Sequence, residues 1–371
     1  MRVFCFFVLL FIFPNASAAQ IKEGVRCVQN QLTEAGYDPG VSDGEVGPNT
    51  RRALAEFQLE SGLVFERTFD VSLGNSVCRR IGLIQTELQQ FWPSLGNDKP
   101  EIVFSDAIGS SFRGRVLAST MRAHIGIKRT FRVDLAGRDV IVVADNETDL
   151  KRLLSEHGQL PIVDESSGIA DACTSHRGVS GRTLPGIMYL CVANDAGLVA
   201  EIDQAWMDSL IAHEMVHLMQ FQLAGAVLTE RGLEEQLLHE GPVWLSEGSA
   251  QAYGNQFALR TPDWDYRIVN YRRLENTFPD LTALEKRDAL ASRALDVYRA
   301  GTVGAIDLVD LYGYPAIGQF YDSLGHGVGW TEAFEVAFGL SPETFYNHYR
   351  NVSRFDSNGD PIHGPLVDLT E

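Results

Sequence analysis

The sequence predicts an α+β chain in two parts: a small three-helix N-terminal domain, then a larger domain with a mixed sheet and a largely helical C-terminal half. Three observations predict this. Within residues 21–80, two segments with apolar residues at helical spacing flank a dense turn segment. Short β-branched runs recur between residues 101 and 192. From residue 204 onward, long helical patterns replace them, and strands followed mainly by helices mark an α+β domain. Of the 371 residues, 45% are hydrophobic, enough for more than one core.

Residues 1–18 are expected to be a signal peptide. Arg2 gives a positive start, residues 3–13 are unbroken apolar, Pro14 and Asn15 end the run, and Ala16-Ser17-Ala18 is a small-x-small cleavage pattern. The run is too short for a normal membrane span; the alternative is an uncleaved anchor. Cys5 lies before any cleavage point, which argues against a lipoprotein acceptor. No later stretch reaches about 18 uninterrupted apolar residues, so the mature chain is expected to have no membrane span. An exported chain, periplasmic or extracellular, follows as the expectation.

In residues 21–80, Val25, Val28 and Leu32 recur at helical spacing, and Gly36 is expected to end that helix. The turn segment Tyr37-Asp38-Pro39-Gly40-Val41-Ser42-Asp43-Gly44-Glu45-Val46-Gly47 comes next. A second helix starts at Pro48 or Asn49, carries Ala53, Leu54, Phe57 and Gln58 on one side, and ends at Gly62. Residues 81–100 read as a helix and then a linker, marked by Pro93, Gly96 and Pro100.

The larger domain spans residues 101–360. Glu101-Ile102-Val103-Phe104 is its first strand, and an amphipathic helix covers residues 115–125. Asp139-Val140-Ile141-Val142-Val143-Ala144 is a buried strand, residues 148–155 a helix, and Gly186-Ile187-Met188-Tyr189-Leu190-Cys191-Val192 another strand. A long helix occupies residues 204–223.

Four cysteines follow the expected signal: Cys27, Cys78, Cys173 and Cys191. An even number in an exported chain predicts disulfides, with three possible connectivities. The pairing Cys27–Cys78 with Cys173–Cys191 is favoured, because each pair then closes within one domain. A four-cysteine zinc site is the rival, and no C-x-x-C spacing supports it. The formal net charge is −18. Such a chain repels phosphate backbones and anionic lipid, which counts against nucleic acid as a partner.

The chemistry concentrates in His213-Glu214-Met215-Val216-His217. Residues i and i+4 of a helix share a face one turn apart, so two imidazoles can reach one metal ion. Glu214 can project toward a metal-bound water, whose pKa zinc lowers to about 7, and can pass its proton to a leaving amine. With 9 histidines and 49 acidic residues in the chain, chance occurrence is on the order of one percent. Ile211, Ala212, Met215, Val216, Leu218 and Met219 make the helix apolar nearly all round, hence buried, and buried histidines need partners. A catalytic zinc takes three protein ligands and keeps one position open. Glu247, 30 residues after His217 in Pro242-Val243-Trp244-Leu245-Ser246-Glu247-Gly248-Ser249-Ala250, is the candidate third ligand; Glu235, His239 and Glu240 are rivals.

Two resemblances follow. Gln29, Leu32, Gly36-Tyr37, Asp43-Gly44, Val46-Gly47, Thr50, Ala53-Leu54, Phe57-Gln58 and Gly62-Leu63 resemble the pattern of small peptidoglycan-binding domains, which implies peptidoglycan as a partner and association with the cell wall. The alternative is a three-helix spacer. His213-Glu214-x-x-His217 with Trp244-Leu245-x-Glu247-Gly248-x-Ala250 resembles the gluzincin metallopeptidases, both aminopeptidase-N-like and thermolysin-like. That likeness implies a zincin fold, one Zn2+ ion held by His213, His217 and Glu247, Glu214 as general base, and a peptide or protein substrate.

Tyr298-Arg299-Ala300-Gly301 resembles the Y-x-x-G element whose tyrosine donates to the developing oxyanion; Tyr312, Tyr314, Tyr321 and His326 are alternative donors. Gly186-Ile187-Met188 resembles the G-x-M-E-N strand that lines the aminopeptidase cleft. Tyr189 replaces the glutamate that grips a free α-amine there, so the resemblance favours an endopeptidase. The strand itself remains able to take an extended peptide by β-augmentation. Residues 308–314, 317–324 and 330–338 read as successive helices, similar to the C-terminal part of small bacterial gluzincin-like peptidases. The expectation is a secreted zinc endopeptidase directed to the bacterial cell wall. The alternative is a non-catalytic wall-binding protein with a degenerate peptidase domain. A structural zinc site would need a fourth protein ligand, and no cysteine follows Cys191.

Overall fold

The computed structural model describes residues 18–35, 37–61, 74–96, 99–136, 139–157, 173, 178–192, 204–226, 241–258 and 279–352. Residues 1–17 of the expected signal peptide lie outside them, as do Gly36 and Gly62. The chain divides into two compact units, Met1–Phe57 with Glu66–Glu87 and Gln58–Phe65 with Leu88–Glu371. No helix among the described residues is long and apolar enough to cross a membrane.

The first unit is described through α1 (Ala18–Glu34), α2 (Pro48–Glu60) and residues 74–87 of α3 (Gly74–Ser94). The stretch read as helix and then linker is helical through Ser94. The apolar positions that predict α1 and α2 are the core: Val25, Val28, Leu32, Ala53, Leu54 and Phe57 are all buried. Gln29, buried among them, organises the turn segment. Its amide nitrogen reaches Asp43 Oδ1 at 3.2 Å, the Glu45 carbonyl at 3.1 Å and Thr50 Oγ1 at 3.2 Å, and its oxygen accepts from the Gly44 N–H at 3.0 Å. One buried amide thus ties both ends of the loop's acidic turn to α1 and α2. Cys27 and Cys78 are paired across α1 and α3, with Cα atoms 5.7 Å apart.

The second unit holds a four-stranded mixed sheet in the order β1-β2-β4-β3. Strands β1 (Glu101–Phe104), β2 (Val140–Ala144) and β4 (Ile187–Val192) run parallel; β3 (Val179–Leu184) is antiparallel to β4 and, like β1, is an outer strand of the described sheet. The sequence predicts β1, β2 and β4 and misses β3. Its Ser-Gly-Arg-Thr centre has no apolar alternation to read. Pro185 and Gly186 turn β3 into β4, and Gly186 has φ 77°, a left-handed value that glycine adopts freely. Cys173 and Cys191 form the second pair, with Cα atoms 4.9 Å apart, so both favoured pairings are present.

Alternation along the strands divides the packing. Ile141, Val143, Met188 and Leu190 pack with residues of α4 (Ser110–Phe131) and α6 (Gln204–Leu223). Val142, Ala144, Tyr189 and Cys191 pack with Leu150, Leu153 and Leu154 of α5 (Glu147–Glu156). Tyr189 therefore faces α5, away from α6, and β4 is hydrogen-bonded on both sides. This corrects the expectation that β4 itself takes an extended peptide by β-augmentation.

The helical half comprises α7 (Val243–Ala258), a short 3-10 turn at Leu281–Leu284, α8 (Asp288–Tyr312), α9 (Tyr314–Gly325), α10 (Trp330–Phe338) and α11 (Pro342–Asn351). The break expected after residue 314 falls at Gly313, whose φ is 77°. Two glycines set the spacing of α7 and α8. A Cβ on Gly301 would lie 2.5 Å from the Trp244 carbonyl oxygen, and one on Gly248 would collide with the Gly301 carbonyl. Gly301→Ala is expected to destabilise by about 1–3 kcal/mol through overpacking. Gly114→Ala, on the exposed face of α4 with nothing within 4 Å, is expected to be neutral or stabilising by up to about 1 kcal/mol. Denaturant unfolding of the two variants measures the contrast.

Candidate metal centre

Helix α6 is apolar around its circumference, and Ile211, Ala212, Met215 and Val216 are buried on all sides of the polar trio. His213, Glu214 and His217 are themselves only 8%, 5% and 8% exposed. Asp208, one turn and a half upstream, ties α6 to α4. It accepts from Arg122 at 2.7 Å and Gln204 at 2.7 Å, and is bonded to Ser119.

Helix α7 crosses α6 closely enough to bring Glu247 onto the two histidines. A Cβ on Gly254 would lie 2.6 Å from the Ser209 carbonyl of α6. The start of α7 is pinned independently. The Val243 N–H donates to the Glu285 carbonyl at 2.9 Å, and Trp244 Nε1 donates to Tyr346 Oη at 3.1 Å. The Trp244 ring also stacks on Phe345 at 5.7 Å. Trp244 and Gly248 thus place the carboxylate between them.

The three donors converge. His213 Nε2 and His217 Nε2 are 3.1 Å apart, and Glu247 Oε2 is 3.5 Å and 3.4 Å from them. One ligand atom from each residue lies within 4.8 Å of the others, so the group could hold one metal ion. The donor set fits such an ion: two imidazole nitrogens and a carboxylate oxygen, all largely buried, face one another at 3.1–3.5 Å. The rivals Glu235, His239 and Glu240 lie outside the described residues.

Glu214 points to β3. The Thr183 hydroxyl lies 2.9 Å from Glu214 Oε2 and 3.0 Å from its main-chain carbonyl. A Cβ on Gly181 would meet Glu214 Cγ at 3.0 Å, so the strand can lie this close only because residue 181 is glycine. Tyr298 sits within α8, its ring 6.2 Å from that of His213. The charge of Glu247, then burial, then Glu214 push its phenol up, and Arg182 of β3 opposes them. The other tyrosines are placed elsewhere: Tyr314 donates to Gln256, Tyr321 packs on Phe320 and Tyr312 on Phe338. His326 is exposed at the end of α9, with Nδ1 on the Asp322 carbonyl.

Sequence reasoning misses Thr183, Arg182, Gln220, Ser246 and Ser249. Gln220 Oε1 lies 2.8 Å from His217 Nδ1, and Gln220 Nε2 donates to the Ser246 carbonyl at 3.1 Å and Ser249 Oγ at 3.0 Å. The legible signal was a glutamine three residues after His217, on the same face of an otherwise apolar helix.

The peptidoglycan binding domain family matches residues 22–65. A peptidoglycan-binding domain stands at the N-terminus. No curated protein and no solved structure matches the chain.

Electrostatics within the group are coupled. Burial opposes a charge on His217, but Glu247, and behind it Glu214, push it up to about 9. Burial would raise Glu247, yet the charge of His217 holds its carboxyl well below the usual carboxylate range. A histidine raised in the fold contributes stability that is fully present below its unfolded value of 6.5 and is lost as pH rises through about 9. Chelator-treated protein is therefore expected to lose stability between about pH 6.5 and 9. Glu247→Gln should flatten that slope, as read from urea midpoints across the window.

Proposed function

We propose that the chain is an exported zinc peptidase, directed to the bacterial cell wall by its N-terminal domain, and that it cleaves within peptide chains. One observation carries the reading: His213, His217 and Glu247 converge on a single point, with Glu214 beside it and Tyr298 across it. Three nitrogen and oxygen ligands with acid–base groups at hand suit a catalytic zinc better than a closed structural one.

A zinc ion held there supplies Lewis-acid chemistry and lowers the pKa of a bound water to about 7. Glu214 takes the proton of the attacking water and delivers it to the leaving amine. Thr183 holds the Glu214 carboxylate in place for this. Tyr298 donates its phenolic hydrogen to the oxygen on which charge develops. Strand β3 lies over α6 at Glu214 and, among the described strands, pairs with β4 alone, a position from which it can take an extended segment. A strand edge engages a chain on both sides of the scissile bond, which supports an endopeptidase. Tyr189, buried toward α5, no longer bears on that choice.

The domain at residues 22–65 and the two cysteine pairs support an exported, wall-associated setting. A tether of this kind raises the local concentration of wall-borne substrate. The family match at residues 22–65 supports wall binding and is equally compatible with a second reading: a wall-binding protein whose larger domain does no chemistry.

Purified protein is to be tested on end-blocked peptides, denatured protein and intact peptidoglycan, with and without chelator. Glu214→Gln should lower kcat by at least about 10²–10⁴-fold. It should leave zinc content and peptidoglycan binding unchanged. Tyr298→Phe should lower kcat by about 10²–10³-fold with little change in KM. Chelator-resistant activity would overturn the zinc mechanism. Wild type and Glu214→Gln equally inactive on every substrate, both binding peptidoglycan, would establish the second reading.

A further inference from the structure

His213 and His217 differ in what holds their remote nitrogens. His213 Nδ1 is buried and has no hydrogen-bond partner among the described residues. His217 Nδ1 meets Gln220 Oε1 at 2.8 Å. An imidazole nitrogen facing an amide can donate to its oxygen or accept from its nitrogen, and the two cases put the ring proton on opposite atoms. The neighbours of Gln220 decide between them.

The Ser246 main-chain carbonyl lies 3.1 Å from one end of the Gln220 amide, and a carbonyl only accepts. That end is the NH2 group. It also donates to Ser249 Oγ at 3.0 Å, and Ser249 passes its own hydrogen to the same Ser246 carbonyl at 3.3 Å. The other end is the amide oxygen, which accepts from Ser246 Oγ at 3.2 Å. Its second lone pair faces His217 Nδ1. Every donor and acceptor of the amide is then used, and flipping it would set its oxygen against the Ser246 carbonyl, two acceptors with no hydrogen between them. The Nδ1 atom of His217 must therefore carry a proton, leaving Nε2 to face Glu247 and His213.

We propose that Gln220, held by Ser246 and Ser249, fixes the ring proton of His217 on Nδ1 and so commits Nε2 to the metal. The two serines are the open positions of the Trp244-Leu245-x-Glu247-Gly248-x-Ala250 stretch. The helix that supplies Glu247 thus also sets the second ligand. Gln220 acts through His217 and is a positioning residue. The inference rests on reading His213, His217 and Glu247 as metal ligands.

Two variants separate this role from a purely structural one. Gln220→Glu keeps an acceptor for His217 Nδ1–H and loses the donors to Ser246 and Ser249. Gln220→Leu loses both. Zinc affinity is to be measured by competition with a chromophoric chelator. Gln220→Glu should stay within about threefold of wild type, and Gln220→Leu should bind about 10–100-fold more weakly. In parallel, 15N NMR of chelator-treated wild type at pH 10 should show His217 protonated at Nδ1. A proton on Nε2, or equal zinc affinity in wild type and Gln220→Leu, would overturn the proposal. If the leucine variant does not fold, the glutamate variant and the wild-type spectrum still decide it. Wild type that takes up no zinc while showing Nδ1–H would sink the metal reading and leave the tautomer assignment standing.

Discussion

The close approach of three helices is the constraint on which the rest of the second unit depends. Helix α7 lies against α6 at Gly254 and against α8 at Gly248 and Gly301, each contact being backbone against backbone. Side chains at those positions would hold the axes apart, and helices with ordinary side chains pack 8–10 Å apart. The candidate site spans all three helices: two imidazoles from α6, a carboxylate from α7 and a phenol from α8. Its geometry is set less by the polar residues than by the absence of Cβ atoms beside them.

That view explains why particular residues accompany one another. Gly248 follows Glu247, and Gly301 lies one turn after Tyr298, on helices that touch at those two glycines. The contact that brings α7 to α8 therefore also brings the carboxylate toward the phenol. Trp244 anchors the same N-terminal end of α7 through Tyr346, whose hydroxyl in turn donates to Glu285 at 2.9 Å. A buried tryptophan with its N–H satisfied is a firm peg, because neither its packing nor its hydrogen bond survives a shift of α7.

Legibility in the sequence followed the range of the interactions. Helix α6 was readable to its end residues because its burial is all-round, and β2 because a β-branched run has few alternatives. The convergence of Glu247 on the histidines was readable from a spacing that allows a return helix. Strand β3 was not, since glycine at 181 and threonine at 183 serve contacts with Glu214 that leave no periodic trace. Tyr189 misled for a related reason: a motif places a residue on a strand, while the face it takes depends on register, and here Tyr189 pairs opposite Arg182 and packs toward α5. Gln220 was visible as a polar residue in an apolar helix, but its partners lie on another helix 26 and 29 residues away.

The arrangement of α6, α7 and α8 has a consequence for the order in which the three metal donors come together. A chain that emerges N-terminus first presents the paired histidines well before Glu247, and Glu247 well before Gly301. Helix α6 alone offers two neighbouring nitrogens and no carboxylate from across the gap. Helix α7 reaches its seat only between two partners, the second of which lies about 50 residues further on, so long-range closure governs the last step of assembly. In a partly emerged or truncated chain the three donors are therefore not yet brought together, and their convergence waits on completion of the fold.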